Sequence, residues 1–302
     1  MNRIGRRIAD KIIEIHGSDR FKIAFLPYKR SMWDSMESVY EECLASGIKS
    51  YCMPLPYYKM TGREVDKLEY EKDLFENAYD ISLLGKMDLD YIVIHYPYDH
   101  NNTVTNMLPT YHTENLRNYG QIIYIPYSCT SLRQLRVSPG LANIDYAFLT
   151  TTQDADDFVR EWKEFGVDFS GRIFGLGSPK MDAIEKTIRP DANKTLIINS
   201  LSAFLREPFV KIREYRSLII NEVAEGHEVI FRPHPLLRQT IKSLRPDTEN
   251  DYKSFIQWAE SVCEVDESEY LEDALSRANY LISDPSSVLE MWISTGREYK
   301  VI

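Results

Sequence analysis

Arg232 and His234 stand beside prolines in "EVIFRPHPLLRQ", residues 228–239, just after the apolar run Val229, Ile230, Phe231. That run has the length and composition of a buried strand. A guanidinium and an imidazole delivered at a strand exit are hydrogen-bond donors for an anion. The stretch "ANYLISDPSSVLEMW" repeats the arrangement, with a strand over Tyr280–Ser283 running into a helix. Asp284 is expected as the N-cap and Pro285 at the first helical position. The N–H groups around Ser286 and Ser287 would then lack helical partners and lie beside two hydroxyls at the positive end of the helix dipole. Each signal alone is weak, because a good cap needs no ligand and a lone histidine at a strand end is more often structural. Their pairing on two strand exits of one α/β domain predicts a shared anionic ligand.

The first half of the chain has a regularity of its own. Four apolar runs end in Pro27-Tyr28, Pro56-Tyr57, Pro97-Tyr98 and Pro126-Tyr127. Proline cannot donate to a sheet ladder, so each pair marks a strand exit. In a parallel sheet all such exits share the carboxyl edge, where these folds bind ligands. Tyr28, Tyr98 and Tyr127 are thereby expected on the rim of one cleft.

Elements that could position these residues alternate along the chain. "FKIAFLPY", a helix from Met32 to about Ala45, "IKSYCMPLPY", "LDYIVIHYPY" and "GQIIYIPY" are followed by "DYAFLTTT" and a helix starting near Asp154. "RIFGLGSPKMDAI", with Gly175, Gly177 and Pro179, interrupts the pattern. A second alternation then begins at "TLIINSL" and ends in the strand-like "REYKVI". The reading is α/β with two Rossmann-like domains facing a cleft, over residues 1–170 and 171–302. The second domain is expected to stop short of its usual last elements.

Composition excludes several classes. A net charge of −10 argues against general nucleic-acid binding, which needs basic surface. Cys43, Cys52, Cys129 and Cys263 are far apart and form no zinc or disulfide pattern, as in a cytoplasmic protein with reduced thiols. No residue cluster reads as a metal site, and no apolar run approaches the ~20 residues of a membrane span. "RIGRRIADKIIEI" predicts a basic amphipathic helix with Ile4, Ile8, Ile12 and Ile15 on one face. Packing on its own domain is favoured over weak contact with a membrane surface.

"FRPHP", "SDPSSV" about fifty residues later and "GSPKMD" upstream together resemble the CDP-glycerol glycerophosphotransferase family, the teichoic-acid-type primases and polymerases of GT-B fold. Arg232-Pro233-His234-Pro235 matches the family's R-x-H-P motif, and Ser283-Asp284-Pro285-Ser286-Ser287 its S-D-x-S-S motif. Gly177 to Asp182 is similar to its G-x-P-R-x-D segment, with Lys180 near the arginine position. "FLPYKRSMWDSMESV" also looks like a branch of this group. The resemblance implies transfer of a phosphoglycerol-type group from CDP-glycerol or a related CDP-alditol to a hydroxyl of a glycan or lipid-linked acceptor, releasing CMP. It implies that Arg232, His234, Asp284, Ser286 and Ser287 hold the donor. It requires no cofactor beyond that substrate. The expected location is the cytoplasm, with the inner face of the membrane as the alternative.

The family's Trp-His-Gly segment, which carries its base, has no counterpart here. For the proton acceptor such a reaction needs, "HYPYDHNN" offers His95, Asp99 and His100, and "RSMWDS" offers Asp34. Asp99 and His100 are the first choices. The same His-Pro and Ser-Ser pair also resembles transferases that use CMP-linked acidic sugars. A non-catalytic cytidine-nucleotide-binding relative is the third reading.

Overall fold

A computed structural model describes residues 3–61, 64–97, 99, 105–128, 139–268 and 270–302. The chain divides into two compact units, Met1–Ala183 and Ile184–Ile302.

In the first unit the strands are β1 (Lys22–Phe25), β2 (Lys49–Cys52), β3 (Tyr57–Thr61), β4 (Glu64–Glu69), β5 (Tyr91–Ile94), β6 (Thr105–Met107), β7 (Gln121–Tyr124), β8 (Tyr146–Leu149) and β9 (Ile173–Gly175). A parallel sheet runs β2-β1-β5-β7-β8-β9, and a small antiparallel sheet runs β4-β3-β6. The central strands are buried on both faces (Ile23, Ala24, Ile92, Val93 and Ile122 are inaccessible), which is why they read as unbroken apolar runs. Tyr57, expected at a plain strand exit, instead opens β3, the middle strand of the antiparallel sheet.

Helix α1 (Ile4–His16) packs on α2 (Glu37–Ala45). Its apolar face is in the core, with Ile8 and Ile12 inaccessible. Arg3 and Arg6 pair with Glu41, Glu42 and Asp10. Helix packing is therefore the role the structure gives this segment. A distant carboxylate, Asp182, accepts from the N–H groups of Ile4 and Gly5 at 2.9 and 2.7 Å and so closes the start of α1. The "GSPKMD" turn reaches that point through Gly177, whose φ of +102° only glycine adopts readily and where a Cβ would strike Ile4. Residues 171–183, grouped with the second domain from the sequence, thus lie in the first unit. The remaining helices there are α3 (Thr113–Leu116), α4 (Thr152–Glu164) and α5 (Lys180–Thr187), the last crossing the division.

The second unit holds β10 (Lys194–Ile198), β11 (Val229–Arg232), β12 (Glu264–Val265), β13 (Ala278–Ser283) and β14 (Glu298–Val301), all parallel, in the order β12-β11-β10-β13-β14. Helices α6 (Leu201–Arg206), α7 (Pro208–Ala224), α8 (Leu237–Leu244), α9 (Glu249–Glu260), α10 (Leu271–Arg277) and α11 (Ser287–Ile293) connect them. Phe204, Tyr215, Phe231, Tyr252 and Phe255 fill the layer between helices and sheet. Both units are Rossmann-like, as the alternation predicts.

Candidate functional site

Strand order in the second sheet runs outward from β10 on one side and restarts at β13 on the other. Open α/β sheets bind ligands at the carboxyl edge of such a reversal. Ile198 of β10 aligns with Arg232 of β11 and with Ser283 of β13, so the exits of all three strands meet there.

Asn199, the residue after β10, is 1% exposed, and its Oδ1 accepts from the backbone N–H of His234 at 2.8 Å. That bond fixes which end of the amide is which. The other end, Nδ2, is a buried donor with no partner. His234 is half-buried, and its Nδ1 accepts from the N–H of Leu236 at 3.2 Å. The proton of the neutral ring is therefore on Nε2, which makes it a second donor. Burial first, and Arg232 second, hold this imidazole below its ordinary pKa and keep it neutral. A cavity of about 30 Å³ beside it, lined by Pro233, His234, Pro235, Arg238, Tyr252, Glu267 and Ser268, is of the size of one water.

Ser286, not Asp284, caps α11. Its Oγ accepts from the N–H of Leu289 at 3.2 Å and lies 3.2 Å from Ser283 Oγ. Ser287 is the first helical residue and, like Ser286, half-exposed. Asp284 is 1% exposed and serves inward partners: the N–H of Ser200 at 3.0 Å, the Lys211 ammonium at 2.7 Å and the Tyr215 hydroxyl. A buried carboxylate is better satisfied by an ammonium and two further donors than by a helix end. Arg232 is also internal. It pairs with Asp266 and donates to the Ser268 hydroxyl at 3.2 Å and carbonyl at 2.9 Å, which ties β11 to the segment after β12. Of the five residues expected to hold an anion, His234, Ser286 and Ser287 reach the surface of this edge, while Arg232 and Asp284 brace it. Asn199, Lys211, Tyr215 and Asp266 escaped the sequence reading.

In the first unit, order reverses between β1 and β5. Asp99 is buried, and its carboxylate accepts from the Thr113 N–H at 3.1 Å and the Thr113 hydroxyl at 2.6 Å, at the start of α3. Its partners make it a tether for that helix. His100 and Tyr98 lie outside the described residues. Tyr28 is 2% exposed and belongs to a buried aromatic group, 5.1 Å from Tyr57, 5.0 Å from Tyr96 and 5.1 Å from His95 between ring centres. It underlies the edge; Tyr127, half-buried, is nearer the surface. Burial pushes both phenols above their ordinary pKa.

His95 is inaccessible, with Nδ1 3.1 Å from Ser35 Oγ. Burial, then the Lys180 charge, push its pKa down to about 3, against a smaller opposing effect of the Met32 carbonyl. The unfolded chain therefore takes up a proton near pH ~6.5 that the folded chain refuses. The stability this residue preserves is complete above that pH and is lost as pH falls toward the folded value. Urea unfolding is expected to weaken by about 1.4 kcal/mol per pH unit from this group between roughly pH 6 and 4. The contribution should vanish in His95→Phe; equal slopes in the two proteins would refute it.

Other polar groupings are committed or remote. An opening of about 570 Å³ at the amino edge of the first sheet is lined by His16, Asp90, Arg117 and Asp145 among others. There Asp90 and Asp145 accept from the N–H groups of Lys22, the first residue of β1, and Ile122, the second of β7. Glu222, Glu225 and His227 stand close enough to share a cation, but at the amino end of β11 and largely exposed. No helix among the described residues is long and apolar enough to cross a membrane.

No family model matches the sequence, and no curated protein does. Among solved structures, the chain is similar to the UDP-GlcNAc 2-epimerase of Methanocaldococcus jannaschii in complex with UDP-GlcNAc and UDP, at 12% identity and a TM-score of 0.58, over 93% of this chain and 83% of that one. It is similar to the UDP-GlcNAc 2-epimerase of Neisseria meningitidis bound to UDP-GlcNAc, at 14% identity and 0.56, over 93% and 82%. It is also similar to the wall teichoic acid polymerase TagF, at 11% identity and 0.52, over 98% and 73%. At such identities the likeness establishes the fold: two Rossmann-like α/β units of the kind found in GT-B proteins.

Proposed function

We propose that the chain is a transferase that uses a nucleotide-diphosphate-linked donor, and specifically one that moves a phospho-alditol group from a CDP-linked donor to a hydroxyl of a cell-envelope glycan. The observation that carries the reading is the set of unpaired donors at the reversal point of the second sheet. Asn199 Nδ2 is a buried donor with no protein acceptor, and the neutral His234 ring adds an Nε2–H. With the hydroxyls of Ser286 and Ser287 on the neighbouring exit, they suit the oxygens of a diphosphate. In the transfer, the acceptor hydroxyl releases its proton to solvent as its oxygen bonds to the β-phosphorus, and the bond to the bridging oxygen breaks. Its electron pair leaves with CMP. These donors would hold the oxygens on which charge gathers.

The motif pair supports cytidine, and the fold likeness to a wall teichoic acid polymerase supports a cell-envelope acceptor. A second reading is a UDP-sugar enzyme of the same fold, favoured by the two UDP-GlcNAc-bound structures above.

Thermal unfolding with CDP-glycerol, CDP-ribitol, CMP, UDP and UDP-GlcNAc separates the two. A ligand at about 100 times its Kd adds roughly 2.7 kcal/mol. The expected result is a shift selective for CDP-alditols. His234→Ala should weaken binding about tenfold or more, read as a smaller ligand-induced shift from that variant's own unliganded midpoint, as for a lost hydrogen bond to a charged group. A shift with uridine compounds alone would favour the second reading, and no shift with any nucleotide would refute both.

A further inference from the structure

The second sheet ends on β14, and every residue of that strand is exposed, although it pairs along its whole length with β13. Edge strands are commonly shielded by a proline, a bulge or a covering element, because their free N–H and C=O groups template pairing with another strand. β14 reads Glu298-Tyr299-Lys300-Val301, without proline, and keeps an unbroken register against β13. Its apolar side chains are open to water as well: Tyr299 is 44% and Val301 48% accessible, and Ile293 at the end of α11 is 46% accessible.

Hydrogen bonding to β13 fixes which groups point outward. The N–H of Ile302 donates to the carbonyl of Ser283 at 3.2 Å. Backbone groups alternate sides along a strand, so Glu298 and Lys300 also bond inward, while Tyr299 and Val301 turn their N–H and C=O groups outward. A strand added at this edge must bring outward groups to outward groups. For a second β14 related by a two-fold axis and running antiparallel, the registers that keep most of the strand paired are centred on Glu298, Tyr299 or Lys300. The first sets Glu298 against its own copy, and the third does the same to Lys300. Only the register centred on Tyr299 opposes unlike charges. There Glu298 of each copy faces Lys300 of the other, in the non-hydrogen-bonded positions where side chains lie closest. On the opposite face the two Tyr299 rings meet as a cross-strand pair.

We propose that β14 is a self-association edge, at which two copies of this chain join their second units strand to strand in the register centred on Tyr299. The two five-stranded sheets then become one continuous sheet. A uniformly basic or uniformly acidic foreign segment would satisfy only one of the two charges, whereas the strand's own copy satisfies both. So few residues bury less than the roughly 1,200 Å² of a standard specific interface, so the association is weak and depends on concentration. The edge lies wholly on the second unit, and the proposal stands or falls without the nucleotide reading.

The test is sedimentation of the whole chain from roughly 5 µM to 0.5 mM, a range suited to a weak interface. A monomer passing to a dimer is expected. Glu298→Lys and Lys300→Glu, both at exposed positions, should each weaken the association about tenfold or more, because each turns two attractive pairs into repulsive ones. Mixing these two variants should restore it as a heterodimer, since a strand with two basic side chains then faces one with two acidic side chains. Glu298→Lys together with Lys300→Glu in one chain leaves the net charge unchanged and should restore the homodimer. A chain that stays monomeric across the range would overturn the proposal. So would a dimer indifferent to the single variants, which would place the contact elsewhere, or a double variant no better than the singles, which would exclude this register.

Discussion

Asp284→Ala is expected to cost about 3–5 kcal/mol of stability, a large share of what an ordinary domain has. The reason is what alanine leaves behind. The Lys211 ammonium, with only 14% of its side chain exposed, would lose its closest buried partner and keep Glu214. Burial, and next the hydrogen bond it donates to Asp284, hold the Tyr215 phenol well above its ordinary pKa, and that inaccessible hydroxyl would be stranded. The N–H of Ser200 would be left without an acceptor. Because Ser200 follows β10 and Asp284 follows β13, the carboxylate also holds together the two exits that border the candidate site. Urea unfolding should show the loss, and adding Lys211→Met to Asp284→Ala should recover part of it by removing the stranded charge. A cost below about 1 kcal/mol would mean that the carboxylate is not the brace described here.

That brace marks the limit of what the sequence makes legible. Parallel sheets and two α/β units follow from apolar strand runs and alternation, because strands buried on both faces must be apolar throughout. The position of His234 and the pair Ser286-Ser287 at a common edge follows as well, since strand direction places exits together. The partner of each polar side chain does not follow. Asp284 and Ser286 are both good N-caps by type, and the choice falls to Ser286 because Lys211 and Tyr215, some seventy residues away, compete for the aspartate. Asp99 has the chemistry of a base, yet Thr113 claims it. Asn199 carries no motif; it is visible only after β10 is known to lie between β11 and β13. The "GSPKMD" segment reads as the opening of a second domain, but Asp182 finds the start of α1 nearly the whole unit away in sequence. Such contacts depend on three-dimensional order that local spacing does not encode.

Arg232 is where that distinction has its largest measurable consequence outside Asp284. A guanidinium offered to a ligand can be removed with little effect on folding, whereas one locked in a buried pair cannot. Arg232 is 3% exposed and Asp266 9%, so Arg232→Met is expected to strand a buried carboxylate and cost about 3–5 kcal/mol. The double variant Arg232→Met with Asp266→Leu should regain most of that loss, since replacing both members of a buried pair by apolar groups is often neutral. Burial alone would raise the Asp266 carboxyl, but the Ser268 hydroxyl and N–H together with Arg232 outweigh it and hold it below its ordinary range. The pair's stabilisation is therefore complete above pH ~4 and drains away as pH falls through the depressed value. Unfolding of the unaltered protein should steepen there, and the double variant should lack that component. Nucleotide binding by the refolded double variant completes the test. Binding close to that of the unaltered chain is expected if Arg232 braces the strand exit, and its abolition in a stable double variant would show that the guanidinium itself meets the ligand.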